Sequence, residues 1–176
     1  MQFRWNHTQG APDYDRKTGF GFVTGAVYTA DAALHIPETN SGFLPLWWYA
    51  GTPISDIRQS EYGLQATAAE ALRTEDAADR RLPVWLRIQV PGEGVYRAEI
   101  TETGTDGGEV LVFTGRRRLA WRGVLPAGAQ QIVTAYCDVF PIVPRGQADA
   151  VASDAVNIAV VGGALTAVAL AKAPDT

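Results

Sequence analysis

The feature that most constrains the fold is a period of two running through the second half of the chain. In LPVWLRIQV (82–90), Val84, Leu86, Ile88 and Val90 alternate with Trp85, Arg87 and Gln89. Successive side chains on a strand point to opposite faces, so this spacing puts the aliphatic residues on one side and describes a half-buried strand. PGEG (91–94) then marks a turn, and VYRAEITET (95–103) forms the next strand. GTDGG (104–108) separates it from VLVFT (110–114), which is followed by LAWRGVL (119–125) and a turn at PAGAQ (126–130). QQIVTAYCDVF (130–140) is a long strand stopped by Pro141, and VNIAVV and LTAVALA flank Gly162-Gly163 as an expected closing hairpin. Short strands at regular spacing with Gly and Pro between them predict an all-β sandwich or barrel.

The first half is less regular. GFGFVTG (19–25) reads as a short strand, and GFLPLWWYAGTP (42–53) is aromatic and broken by prolines. SEYGLQATAAEALRTEDAADRR (60–81) is the one helix-like region, because Ala68, Ala69, Ala71 and Leu72 favour a helix. A short helical insertion is therefore expected near 66–80. With 176 residues, 47% of them hydrophobic, the chain suits one folded domain spanning 1–176. The apolar C-terminal stretch approaches the length of a membrane span, but its central glycines and β-branched residues favour strands, so no membrane partner is expected. The N-terminus, MQFRWNHTQ, has no apolar signal-like run. That leaves the compartment open between the cytoplasm and a trimmed secreted chain.

Charge and chemistry narrow the function classes. A net charge of −4 argues against a general nucleic-acid binder. A single cysteine, Cys137, rules out an intrachain disulfide and a cysteine-rich zinc site, and two histidines are too few for a multi-histidine centre. Ser41, Ser55, Ser60 and Ser153 lie in no nucleophile elbow, and the glycine-rich stretches open no helix with a following lysine. No catalytic residue and no metal ligand is assigned, and no cofactor is expected.

The candidate binding residues are aromatic and cationic. Trp47, Trp48 and Tyr49 are adjacent, so on an extended segment they cannot all face a core. VLVFTGRRRLAWRGVLP (110–126) carries Arg116, Arg117, Arg118 and Arg122 around Trp121. Arginine grips carboxylates in a bidentate manner, and a Trp face stacks on a sugar ring. Trp47, Trp48, Tyr49, Arg116, Arg118 and Trp121 are therefore the expected ligand-binding set. The competing reading makes the same aromatics core or interface anchors. Unbroken alternation would place Arg116, Arg118 and Arg122 with Ala120 and Val124, on the face away from Leu119, Trp121 and Gly123. That separation favours salt-bridged packing or docking over a single Arg–Trp clamp.

Five blocks, in order, carry a family resemblance: YDRKTGFGFVTG (14–25), IQVPGEGVYRAEIT (88–101), VFTGRRRLAWRGV (112–124), IVTAYCDVFPIVPRG (132–146) and VNIAVVGGALTAVALAKAPDT (156–176). The chain resembles the N-terminal β-sandwich of rhamnogalacturonan acetylesterase-like SGNH (GDSL) hydrolases. The resemblance spans most of the chain except roughly 26–80. It implies a galactose-binding-like jelly roll, with the catalytic SGNH domain expected after Thr176. The family's catalytic residues have no counterparts here, so the chain itself is not expected to be an enzyme. The implied partners are that catalytic domain and an acidic plant polysaccharide such as pectin. Related modules often hold a structural calcium ion, but no dense Asp/Asn loop here supports one. Two functions follow with nearly equal weight: an accessory domain that contacts the polysaccharide, or a structural and interaction domain that binds no sugar.

Overall fold

A computed structural model describes residues 1–30, 56–67, 82–115, 118–141, 148–149 and 154–174. The strands are β1 (Gln2–Asn6), β2 (Phe20–Phe22), β3 (Asp56–Ser60), β4 (Gly63–Thr67), β5 (Pro83–Gln89), β6 (Gly94–Gly104), β7 (Glu109–Thr114), β8 (Arg118–Val124), β9 (Gln130–Val139), β10 (Ala155–Val161) and β11 (Gly163–Lys172). Among the described residues a short helix, α1, spans Gly25–Ala30, and a 3-10 turn covers His7–Gln9. The strands form two antiparallel sheets. The larger runs β3-β4-β11-β6-β9, with β1 also paired to β11, and the smaller runs β2-β5-β10-β7-β8.

The core lies between the sheets. Val84, Leu86 and Ile88 of β5, Val156, Ile158 and Val160 of β10, and Val110 and Val112 of β7 line the smaller sheet's inner face. Tyr96 and Ile100 of β6, Val133 and Val139 of β9, Val168 and Leu170 of β11, and Trp5 of β1 meet them. Each buried aliphatic side chain contributes about 1.5–3 kcal/mol relative to exposure. The alternation in 82–90 is thus real, yet Trp85 on the opposite face is buried too. Tyr14, Val23 and Val27 pack over it, so the segments on either side of β2 within residues 13–27 cover the outside of β5 while β2 itself pairs at its edge.

Three expectations are corrected. VNIAVV and LTAVALA do not form a hairpin. Val161 pairs with Pro83 and Leu111 in the smaller sheet, whereas Gly163 pairs with Gly104 in the larger one. Gly162, at φ 81, turns the corner between sheets, a conformation open to glycine at little cost. The helix-like reading of 60–81 fails over its described part, because β3 and β4 form a hairpin there and β4 reaches Thr67. Leu64 is fully buried and pairs with Leu165, so tertiary burial overrides local propensity. Ala66 and Thr67 of the proposed insertion are strand residues, and 68–80 lie outside the described residues. The face assignment along β8 also changes. Val112 pairs with Trp121 but Phe113 pairs with Leu119, so Ala120 is the extra residue of a bulge. Arg118 falls opposite the inward-facing Thr114 and Arg122 opposite the outward-facing Leu111, so these arginines do not share a face.

A second irregularity shapes β11. Its register with β6 slips between Leu165 and Ala167, leaving Thr166 as the extra residue. The Thr166 hydroxyl donates to the Tyr62 carbonyl at 3.2 Å and lies 2.9 Å from the Thr103 hydroxyl. His7 Nδ1 lies 3.3 Å from the Thr166 carbonyl. Opposite β6, β11 therefore meets β4 at Leu165 and β1 along Ala167–Ala171.

Candidate binding face

The outer face of the larger sheet carries a groove, and strand registers define it. Asn6, Ala167, Thr101 and Ile132 stand in one cross-strand row. Arg4, Ala169, Glu99 and Thr134 make the next, followed by Gln2, Ala171, Arg97 and Tyr136. In β11, Val168 and Leu170 point into the core, so Ala167, Ala169 and Ala171 point outward. Their methyl groups leave a low floor between longer side chains on β1 and on β6 and β9. The groove has a volume of about 390 Å³ and is lined by Arg4, Asn6, Gln9, Glu99, Thr101 and Ile132 around the alanines.

Its β1 wall is held in shape locally. Asn6 caps the 3-10 turn by accepting from the Thr8 amide at 3.1 Å, and the Gln9 side chain accepts from the Asn6 amide at 3.0 Å. This reciprocal capping box orients both amide side chains at the groove end. Electrostatically the two walls differ. Arg97 and Glu99 form an ion pair at 2.7 Å, which offsets the only carboxylate among the described residues that line the groove. Arg4 is exposed and forms no ion pair among the described residues, so the groove keeps a cation on its β1 side.

The residues singled out by sequence lie elsewhere. Trp47, Trp48, Tyr49 and Arg116 fall outside the described residues. Arg118 is exposed at the start of β8 and reaches across to the Tyr136 carbonyl of β9 at 3.5 Å. Trp121 is half-buried against the main core. Its ring lies over Gly123, where a Cβ would come within 2.4 Å of it. Arg122 pairs with Glu109 on the outside of the smaller sheet. Arg118 and Trp121 thus share a strand but serve separate contacts on either side of the bulge.

Arg4, Asn6, Gln9, Glu99, Thr101 and Ile132 were missed from sequence. One signal could have found them: in AVALAKA (167–173) every second residue is alanine, which marks a strand face with almost no side chain.

Two titratable groups lie inside the sandwich. Glu102 points inward from β6, is fully buried, and neither carboxylate oxygen has a hydrogen-bond partner. Burial pushes its carboxyl up to about 8. Perturbed acids often mark active sites, but this one is sealed in the core behind the groove floor. Cys137 is also buried, and burial pushes its thiol up to about 11, which removes it as a nucleophile at neutral pH. Among the described residues no cluster of His, Cys, Asp or Glu could hold a metal ion, and no helix is long and apolar enough to cross a membrane. In comparison with known proteins, no family model matches the chain, and no curated protein is significantly similar to it.

Proposed function

We propose that this β-sandwich is a non-catalytic binding module that holds an acidic polysaccharide along the outer face of its larger sheet. The observation that carries this reading is the alanine-floored groove with Arg4 beside it, in no ion pair among the described residues. An extended sugar chain needs a long, shallow track with scattered polar groups, and Asn6, Gln9 and Thr101 supply them. Glu99 is neutralised by Arg97, so Arg4 is the group left to meet a uronate carboxylate. The order β4-β11-β6-β9 facing β5-β10-β7-β8 supports the jelly-roll reading, an architecture that recurs in lectins. Fold alone does not fix function, so the attachment to an SGNH esterase remains part of the proposal, carried by the sequence blocks.

Calorimetric titration with oligogalacturonates tests it. Binding should weaken as salt rises, as expected for an exposed ionic contact. It should fall about tenfold in Arg4→Ala, which corresponds to about 1.4 kcal/mol. Ala169→Trp should fill the groove and abolish binding. No heat and no chemical-shift change at millimolar ligand would sink the proposal. The alternative, an interaction domain that binds no sugar, is favoured by a different observation: Leu119, Val124, Ile132, Tyr136 and Phe140 are large, apolar and exposed on or beside β8 and β9.

A further inference from the structure

An edge strand offers a row of unpaired backbone groups, and proteins usually blunt it with charges, bulges, prolines or shortness. Among the described residues five strands present an open edge, and four of them are blunted. β2 has three residues, β1 and β3 have five each, and β8 is bulged at Ala120 and carries arginines. β9 is not. It runs ten residues without proline, lysine, arginine or a register shift, and its one charge is Asp138.

The direction of its backbone groups follows from the ladder. On β6, the Val95 carbonyl accepts from the Ala173 amide on the β11 side. Backbone groups alternate sides along a strand, so the even-numbered β6 residues address β9. They face Cys137, Ala135, Val133 and Gln131. The N–H and C=O groups of Gln130, Ile132, Thr134, Tyr136 and Asp138 therefore point away from the sheet. Arg118, reaching the Tyr136 carbonyl from the opposite sheet, agrees with this direction. Among the described residues no strand pairs with that side of β9. The same residues send their side chains to the outer face, where Ile132 is 61% and Tyr136 50% exposed.

We infer that the chain forms a homodimer by antiparallel pairing of β9 with β9 of a second copy, about a twofold axis at Thr134. Self-complementarity of the strand selects this partner and this register. Centring on Thr134 pairs nearly the whole strand. It sets Ile132 against Tyr136 of the other copy twice, an aromatic–β-branched pair of the kind that stabilises sheets. It sets Asp138 against Gln130, so the only charge never meets itself. All these pairs are hydrogen-bonded pairs, because both members direct their backbone groups to the open edge. The contact is isologous and closed, so pairing stops at two copies. Arg118 gives up one contact at the margin of hydrogen-bond distance. The two groove-bearing sheets become one continuous outer face. The inference is independent of the saccharide reading, since it rests on the edge and not on Arg4.

Sedimentation equilibrium across micromolar to submillimolar concentrations tests it. The mass should approach twice 18.9 kDa. Thr134→Pro removes an edge N–H that β6 does not use, so this variant should stay folded by circular dichroism and sediment as a monomer. Thr134→Lys, which sets two cations together at the axis, should do the same and covers the case in which proline disturbs folding. Thr134→Cys should oxidise to a covalent dimer, because Cα atoms of a hydrogen-bonded pair lie about 5.5 Å apart, within disulfide reach. Ile132→Cys should not cross-link, since it would sit roughly 13 Å from its own copy at about 3.3 Å per residue. A monomeric mass at every concentration overturns the proposal. So does a dimer that survives both Thr134→Pro and Thr134→Lys, or cross-linking at Ile132→Cys as efficient as at Thr134→Cys.

Discussion

Glu102 shows how one residue ties stability to pH. Its carboxylate lies between the sheets with no partner for either oxygen, so only the protonated form is tolerable there. In the unfolded chain it titrates near 4.5, and in the folded protein near 8. Below 4.5 both states hold the proton, and the stability set by its folded-state value is fully present. Between 4.5 and 8 the unfolded state releases the proton while the folded state keeps it. Stability therefore falls as pH rises through that window, no more steeply than about 1.4 kcal/mol per pH unit. We expect the urea midpoint to be higher at pH 5 than at pH 8. In Glu102→Gln, which cannot ionise, the midpoint should change far less across that range. An equal slope in the variant would show that other groups carry it. In VYRAEITET the period of two already sets Glu102 with Tyr96, Ala98 and Ile100 and Glu99 with Arg97 and Thr101. What the sequence does not show is that the sheet continues far enough to bury the last member of that apolar row, so Glu102 reads as the polar end of a strand.

At the scale of elements, the outer face of the smaller sheet is held by a polar network centred on Arg87. Its guanidinium donates to Asn157 at 3.2 Å and Asp154 at 3.1 Å and lies over the Tyr14 ring at 5.4 Å. Trp85 donates to the same Asn157 oxygen at 3.3 Å, and Gln89 donates to Asp154 at 3.2 Å. The flap formed by the segments on either side of β2 closes over this network. The Tyr14 amide donates to the Phe22 carbonyl, the Phe22 amide to the Pro12 carbonyl, and the Val23 amide to the Trp85 carbonyl. Arg87→Ala removes the support under Tyr14, and we expect a loss of about 1–3 kcal/mol. The loss should be uneven. Amides of Tyr14, Phe22 and Val23 should exchange with solvent faster, while those of β6 and β9 keep their protection. Uniform acceleration throughout the protein would mean that the flap is not a separate unit. The sequence shows Arg87 only as the polar half of an alternating strand, which reads as solvent-facing. Its burial depends on Tyr14, some seventy positions earlier, and no local period reports that. The β8 bulge is hidden for a similar reason: RRLAWRG reads as unbroken alternation until the partner strand fixes Val112 on Trp121 and Phe113 on Leu119.

For the whole molecule, the strands after residue 83 were legible because each carries its own period of two and ends at Gly or Pro. Their assignment to sheets was not, since corners such as AVVGG (159–163) and hairpin turns use the same residues. β1 was invisible for a stronger reason: QFRWN acquires a face only by pairing with Ala167–Ala171 at the other end of the chain. That pairing places Trp5 in the core, edge-on to Phe22 at 5.2 Å, and lets Phe3 pack on Phe20 at 4.9 Å. Trp5 Nε1 also donates to the Gly10 carbonyl at 3.2 Å, so its one polar group is satisfied. The strand thus joins the two sheets at one side of the core and closes a loop that spans nearly all the strands. Closing such a loop is entropically costly and is rewarded only after the contacts within it have formed. We therefore expect β1 to dock late in folding. Trp5→Ala should cost about 3–5 kcal/mol at equilibrium, as for other buried tryptophans. Because the contact is absent from the transition state, nearly all of that cost should appear as faster unfolding with the folding rate little changed. Stopped-flow chevrons of the wild type and Trp5→Ala decide the matter. A folding arm slowed in proportion to the lost stability would place β1 in the folding nucleus and refute late docking.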